Sequence, residues 1–358
     1  MKTQKYHVLG VMSGTSLDGI DLAECIFEHT ENTAKKTSWQ FSIGATTTVP
    51  YATNWKKRLQ ESVSFSEAEL ITLNCDYTDY LSEVIKNFIG ERKLHSLDAI
   101  CSHGHTILHQ PDKGITLQIG NLSQLATRVQ KTVVCDFRVQ DVALGGQGAP
   151  LVPIGDRLLF GNYEYCLNLG GFANCSFERK GKRIAYDICP VNIVLNRYAQ
   201  QLGQDYDDNG NIAASAVVDP ALLQALGQLE FYFQPAPKSL GLEWVKTSVF
   251  PLLEESGCSS ETILATFTEH IAMQLAAQFE SGTTVLVTGG GAYNSYLLER
   301  LKQHAAVEIV CPSKTLIEYK EALIFGLLGV LKISGEVNCL ASVTGAKKDH
   351  SSGEVFIP

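Results

Sequence analysis

The stretch Gly10-Val11-Met12-Ser13-Gly14-Thr15-Ser16-Leu17-Asp18-Gly19-Ile20-Asp21 decides how the rest of the chain is read. Residues Tyr6 to Met12 before it and Ile20 to Phe27 within and after it have the apolar, β-prone composition of strands. The polar segment between them, Ser13 to Gly19, then reads as the turn joining two strands. Glycines in such a turn let backbone N–H groups face outward as a nest for anionic oxygens. The hydroxyls of Ser13, Thr15 and Ser16 add donors, and Asp18 offers the hard oxygens that hold Mg2+, directly or through water. The turn lacks the Gly-Lys-Ser/Thr of a P-loop and leads to a strand instead of a helix. A plain polar hairpin turn is the structural alternative.

The same idea recurs further along. Tyr165 to Leu169 reads as a strand, Gly170-Gly171 as its turn and Asn174 to Glu178 as the returning strand, with Asn168 at the turn's edge. A third glycine run, Gly289-Gly290-Gly291, follows the apolar strand Val285 to Thr288 and precedes a helix. Small residues there allow close approach of a nucleotide, and a helix N-terminus favours phosphate. Between these turns lie helices expected over Ser66 to Ile89, Val191 to Leu202, Glu261 to Phe279 and Ile317 to Leu331. The Gly- and Pro-rich segment Asp141 to Pro153 is the expected boundary. The division is then 1–140, with 332–358 packing back on it, and 141–331. The fold class is α/β, with two lobes that each open on a glycine-turned hairpin and suit a cleft holding one ligand.

With 358 residues the chain is long enough for two domains. Its net charge of −9 gives it no electrostatic reason to seek nucleic acid or an anionic membrane. Ten scattered cysteines, without a CxxC, fit buried small hydrophobes in a reducing, cytoplasmic compartment. The N-terminal apolar run is too short for a signal peptide, and Ala322 to Leu331 is about half a membrane span.

Three polar segments are candidates for holding a substrate. Ser102 to His109 reads as a loop after the short strand Leu97 to Cys101. In it, His103 and His105 contact a substrate, hold a metal in His-x-His fashion, or simply bond at a strand end. Asp136-Phe137-Arg138 and Gly145-Gly146-Gln147-Gly148 place Arg138 and Gln147 on glycine-rich backbone, where Arg suits a carboxylate and amides suit sugar hydroxyls. Asp187 follows a strand among apolar neighbours. It reads either as a general base with a raised pKa or as the N-cap of a helix opened by Pro190.

Taken together these residues resemble the anhydro-N-acetylmuramic acid kinase family. The resemblance rests on Gly10 to Asp21, Ser102-His103-Gly104, Gln118-Ile119-Gly120, Asp136-Phe137-Arg138 and Gly145 to Pro153. It continues through Asn168-Leu169-Gly170-Gly171, Pro237-Lys238-Ser239, Gly289 to Ala292 and Ser342 to Ala346, spanning nearly the whole chain. It implies two RNase H-like lobes of the actin-like ATPase type around an interdomain cleft. It implies ATP with Mg2+ and an anhydrosugar substrate that is opened by water and phosphorylated on O6. It also implies a homodimer. Gly14, Thr15, Ser16, Leu17, Asp18, Gly19, Ile20 and Asp21 would cradle ATP, with Asp18 near the metal. Asn168, Gly170, Gly171, Gly289, Gly290 and Gly291 would join them. Asp187 matches the family's base, and His103, His105, Arg138 and Gln147 would contact the sugar. The chain departs from the family pattern at Ile188, Cys189 and Val191, at His105 where Gln is usual, and at Leu240 and Leu242. Those departures motivate two alternatives: a relative acting on another sugar or anhydrosugar, and a non-catalytic ATP-binding switch.

Overall fold

The structure is a computed structural model that describes residues 2–14, 17–31 and 37–358. The chain divides into two compact units, Met1–Leu159 with Tyr319–Pro358, and Phe160–Glu318. Each is built on its own sheet.

In the first unit, β1 (Lys2–Ser13), β2 (Gly19–Glu31) and β3 (Thr37–Pro50) form an antiparallel meander. On the far side of β1, β4 (Ala99–Gln110) and β6 (Val133–Cys135) are parallel to it, and β5 (Ile115–Ile119) pairs antiparallel with β4. In the second unit, β7 (Tyr165–Leu169), β8 (Phe172–Arg179) and β9 (Lys182–Pro190) form the meander. There β10 (Thr284–Thr288) and β11 (Glu308–Val310) are the parallel partners. The first sheet runs β3-β2-β1-β4-β6, with β5 beside β4 off this path, and the second runs β9-β8-β7-β10-β11, so both share the core order of an RNase H-like lobe, an antiparallel meander followed by two parallel strands. The repeat of architecture expected from the sequence is a repeat of topology.

The helices form where the sequence places them, with ends shifted by a few residues. Glu67–Arg92 starts at a capping box. Ser66 accepts from the Glu69 N–H, and the Glu69 carboxylate returns a bond to the Ser66 N–H. Its buried residues Leu73, Tyr77, Leu81, Val84, Ile85 and Phe88 fall at helical spacing along one stripe. Ser260–Ala276 is buried along most of its length and is the central helix of the second unit's core. No helix among the described residues is long and apolar enough to cross a membrane.

Two sequence expectations change. The segment 102–109 is not a loop, because β4 runs through it. Its polar side chains find partners inside the protein, which makes their burial tolerable. The first unit also continues past residue 140 to Leu159. Asp141 is tied to the C-terminal segment by bonds from Thr344 Oγ1 (2.7 Å) and Cys339 Sγ (3.0 Å), and the Gln147 N–H donates to the Thr344 carbonyl. The final strand, β12 (Glu354–Phe356), pairs antiparallel with β6.

Helix Lys314–Ile333 lies directly on the first sheet. A Cβ at Gly10 would stand 2.0 Å from the Ala322 carbonyl oxygen, and one at Gly329 would stand 2.2 Å from Cys101 Sγ. Gly10→Ala is expected to lower unfolding free energy by about 3 kcal/mol, because the obstacle is backbone and cannot rotate away. Gly90→Ala, exposed near the end of Glu67–Arg92 with nothing near its would-be Cβ, is expected to raise it by about 0.5–1 kcal/mol. Urea unfolding of both variants checks the pair, and equal effects would refute the contact argument.

Candidate active site

In the first unit, β1 ends at Ser13 and the turn to β2 begins. Thr15 and Ser16 lie outside the described residues. Leu17 has φ +60°, a left-handed conformation that a non-glycine residue adopts only under local constraint. Asp18 is exposed on the bend, and Gly19 is forced by β3, since a Cβ there would meet the Val49 carbonyl oxygen at 2.5 Å. Ile20 is fully buried, so its part in any ligand contact is through backbone. Asp21 Oδ1 accepts from Thr48 Oγ1 at 2.6 Å.

A buried chain of hydroxyls fixes the entrance to this turn. Tyr77 and Tyr51 are 2.5 Å apart, Tyr51 reaches Ser13 Oγ at 2.6 Å, and Ser13 reaches His105 Nδ1 at 2.8 Å. Burial pushes the His105 pKa down to about 4, so the ring is neutral at neutral pH and can accept from Ser13.

Next to it, His103 Nδ1 bonds the Gly104 carbonyl and Nε2 accepts from Arg138 Nε at 3.0 Å. Both ring nitrogens of His103 are thereby used, which leaves it no lone pair to share a metal with His105. Burial first, and the Arg138 charge second, hold His103 well below the usual imidazole range. Arg138 Nη1 donates to the Gly148 carbonyl at 2.6 Å. Burial lowers the Arg138 pKa to about 10, which leaves it charged. Gln147 is exposed on the same loop. Glu321 is the residue that sequence reasoning missed here. Its side chain is exposed, and the charges of Arg138, Asp21 and Lys320 lie near it. It falls just before the apolar run Ala322 to Leu331 and reads as part of an ordinary helix.

In the second unit, the glycine runs meet. A Cβ at Gly289, where φ is +81°, would stand 2.6 Å from Asn168 Oδ1, and one at Gly291 would stand 2.7 Å from Leu169 Cβ. The carbonyls of Gly170 and Gly171 turn back to accept from the N–H groups of Asn192 and Val191, and Asn192 Nδ2 donates to the Leu169 carbonyl. Asn168, Gly170, Gly171, Gly289, Gly290 and Gly291 thus form one small-residue surface beside the N-terminus of Asn192–Gln201. Only the folded chain identifies Asn192 as their neighbour.

Asp187 lies in β9, not at a helix N-terminus. The N-cap of Asn192–Gln201 is Val191, without a side-chain bond, and Pro190 ends the strand. The register of β9 against β8 shifts between Asp187 and Cys189, leaving Ile188 as the extra residue of a bulge. Such a bulge re-aims the side chains beside it. The Asp187 N–H donates to the Lys238 carbonyl, and Asp187 Oδ2 accepts from the Leu240 N–H at 2.8 Å. Burial raises its pKa to about 6, opposed by that single amide bond. A carboxyl of this kind, ionised at neutral pH but more basic than usual, is suited to taking a proton from water.

The family model for anhydro-N-acetylmuramic acid kinase matches residues 6–358. The chain belongs to the anhydro-N-acetylmuramic acid kinase family. A relative of that name from Pseudomonas fluorescens (strain Pf0-1) is 34% identical over 371 residues, covering 97% of this chain and 98% of its own. Another from Vibrio cholerae serotype O1 is 34% identical over 373 residues, covering 98% of each. Among solved structures, a ligand-bound xylulose kinase from Lactobacillus acidophilus aligns with TM-score 0.44 at 11% identity, covering 99% of this chain and 94% of its own. The Acidaminococcus fermentans (R)-2-hydroxyglutaryl-CoA dehydratase component A aligns with TM-score 0.44 at 15% identity, covering 92% and 99%.

The buried neutral His105 makes the fold acid-sensitive. Between the ordinary imidazole pKa of 6.5 and its folded value of about 4, the unfolded chain binds a proton that the folded chain refuses. Its contribution is therefore fully present above pH 6.5 and falls as the pH drops, by about 3 kcal/mol at pH 4. His105→Gln keeps a hydrogen-bonding side chain and removes the titration. Urea unfolding from pH 7 to 4 is expected to show a shallower loss in that variant, and an unchanged slope would refute the assignment.

Proposed function

We propose that this chain is an ATP-dependent kinase that opens 1,6-anhydro-N-acetylmuramic acid with water and phosphorylates O6. The products are N-acetylmuramic acid 6-phosphate and ADP, a step of cell-wall recycling. Membership of the family supports the substrate and the reaction. The observation that carries the chemistry is Asp187, re-aimed by a bulge, held by one amide and raised to about 6 by burial.

In this reading the Asp187 carboxylate takes a proton from water as the water oxygen bonds the anomeric carbon. The bond from that carbon to O6 breaks, O6 takes the γ-phosphoryl group, and ADP leaves. Attack opposite the leaving oxygen inverts the anomeric carbon. The chain's remaining task is positioning and charge neutralisation. Backbone N–H groups of the turn Gly14 to Asp21 and of the Asn168, Gly170, Gly171 and Gly289 to Gly291 surface serve the phosphates. Thr15 and Ser16 are assigned with them on sequence alone. Asp18, exposed and rich in hard oxygen donors, fits Mg2+, which when bound would neutralise phosphate charge. Arg138 and Gln147 contact the sugar, Arg138 through the carboxylate of the substrate. His103 and His105 act through their partners, Arg138 and Ser13. Ten free thiols support a cytoplasmic setting, and we assign a homodimer as in the family pattern.

The departures at positions 188, 189, 191 and 240 do not favour another sugar. Ile188, Cys189 and Val191 are all buried in the apolar core of the second unit. Position 240 reaches Asp187 through its backbone N–H, which any residue but proline supplies.

Purified protein with Mg2+–ATP is expected to release ADP only when the anhydrosugar is added, with a product heavier by one phosphate and one water. No sugar dependence would overturn the proposed substrate. Asp187→Asn should lower turnover by about 10²–10⁴-fold while ATP still binds. For the unmodified protein kcat/KM should rise with pH and level off above about 6, as the base ionises. A flat profile through that range, or near-normal turnover in the variant, would remove Asp187 from this role.

A further inference from the structure

Away from the residues assigned above, one group of potential metal ligands is closed off from solvent: Asp141, Cys339 and His350. Among the described residues no other group of three or more ligand side chains converges in this way. Their relative exposures are 0%, 1% and 6%. Asp141 lies in the short helix Val139–Ala143. Cys339 and His350 face each other across an isolated antiparallel bridge. The Cys339 N–H donates to the His350 carbonyl at 3.0 Å, and the His350 N–H donates back at 3.1 Å. The three ligand atoms all lie within 4.8 Å of one another.

The hydrogen-bonding groups of this cluster call for one positive charge, which either a second proton on the His350 ring or a bound metal ion would supply. His350 Nδ1 is 3.1 Å from the Lys348 carbonyl oxygen, which can only accept, so Nδ1 carries the ring's hydrogen. In the neutral ring Nε2 is then a bare lone pair. It has no hydrogen-bond partner, and it faces Asp141 Oδ1 at 3.5 Å. Two lone pairs that face each other in a buried site call for a positive charge between them. The Asp141 carboxylate has only neutral donors close by: the Thr344 hydroxyl, the Cys339 thiol and the Gly148 N–H.

We propose that Asp141, Cys339 and His350 form a structural site for a thiophilic divalent cation, Zn2+ above all. Thiolate, imidazole and carboxylate are the ligand types that Zn2+ takes, and the thiolate selects against Mg2+ and Ca2+. One thiolate and one carboxylate cancel the two charges of the ion, so the filled site is neutral. Zn–S near 2.3 Å with Zn–N and Zn–O near 2.0–2.2 Å puts tetrahedral ligands about 3.3–3.6 Å apart. The His350–Asp141 spacing already matches, and the Cys339–Asp141 spacing must open by about 0.5 Å. On binding, the Cys339 S–H bond breaks, an S–Zn bond forms, and the proton leaves to solvent. Burial holds that thiol well above its usual pKa, so the exchange is easier at higher pH. The Thr344 hydroxyl, 2.7 Å from Asp141 Oδ1, is the candidate for the fourth ligand.

The site would clamp the C-terminal segment to the loop that carries Arg138. Asp141 Oδ2 accepts from the Gly148 N–H at 2.7 Å, and the Gly148 carbonyl holds Arg138 Nη1. The test uses the full chain, stripped with chelator and titrated with Co2+ under reducing, oxygen-free conditions. One Co2+ per chain is expected, with a thiolate-to-cobalt charge-transfer band, displacement by Zn2+, and a higher melting temperature with metal. Cys339→Ser should abolish the band, and His350→Ala should weaken binding at least tenfold. The Cys75→Ser/Cys311→Ser double variant, which removes the two exposed thiols, should bind like the parent. The absence of a band in the parent chain would overturn the site. So would a band that survives in Cys339→Ser, or one that is lost with the exposed thiols. If Cys339→Ser does not fold, unchanged Co2+ affinity in His350→Ala overturns it equally.

Discussion

Strand β1 can lie against helix Lys314–Ile333 only because residue 10 has no side chain. That contact is backbone to backbone, so no rotamer change relieves a larger residue there. Its consequence spreads through the first unit. The helix carries Gly326 against Val8 and Gly329 against Cys101 and Val134, so it fits the surface of the three parallel strands at once. With the helix seated, β1 reaches its turn at a fixed height, and Ser13 arrives where Tyr51 and His105 can hold it. Close packing of this kind transmits position because a core has few soft directions.

The second unit reaches the same result with different means. Its glycine runs pack on one another instead of on a helix, with Gly289 and Gly291 pressed against Asn168 and Leu169. The adjoining strand β9 then spends one extra residue at Ile188, and the bulge sets Asp187 apart from the regular alternation. The two carboxylates of greatest chemical interest are treated in opposite ways. Asp187 has one amide donor and a raised pKa, as the role of base proposed for it requires. Asp141 has three donors and no solvent, which makes it structural. Count and type of donors, more than burial alone, separate the two roles.

Much of this was legible in the residues. The glycine-turned hairpins, the capping box at Ser66 and the buried stripe of Glu67–Arg92 follow from local rules that need no distant partner. The reading of 102–109 as a loop failed for an instructive reason. Ser, His and Thr in a row look solvent-seeking, but Arg138 and Ser13 supply their bonds from far along the chain. The expectation of an N-cap at Asp187 failed likewise. A bulge depends on the register of two strands, and no single strand encodes it.

By itself, then, the sequence determined the α/β class, the repeated opening hairpin, the positions of the glycine-rich turns and the residues worth suspecting. Those are properties of periodicity, glycine freedom and side-chain chemistry, all local. Only the tertiary structure decided which suspects are buried and already bonded, how far the first unit extends, and that Asp141 meets Cys339 and His350. Long-range bonds made those decisions. Their partners lie up to about two hundred residues apart along the chain, far outside the few residues over which local conformational preference acts.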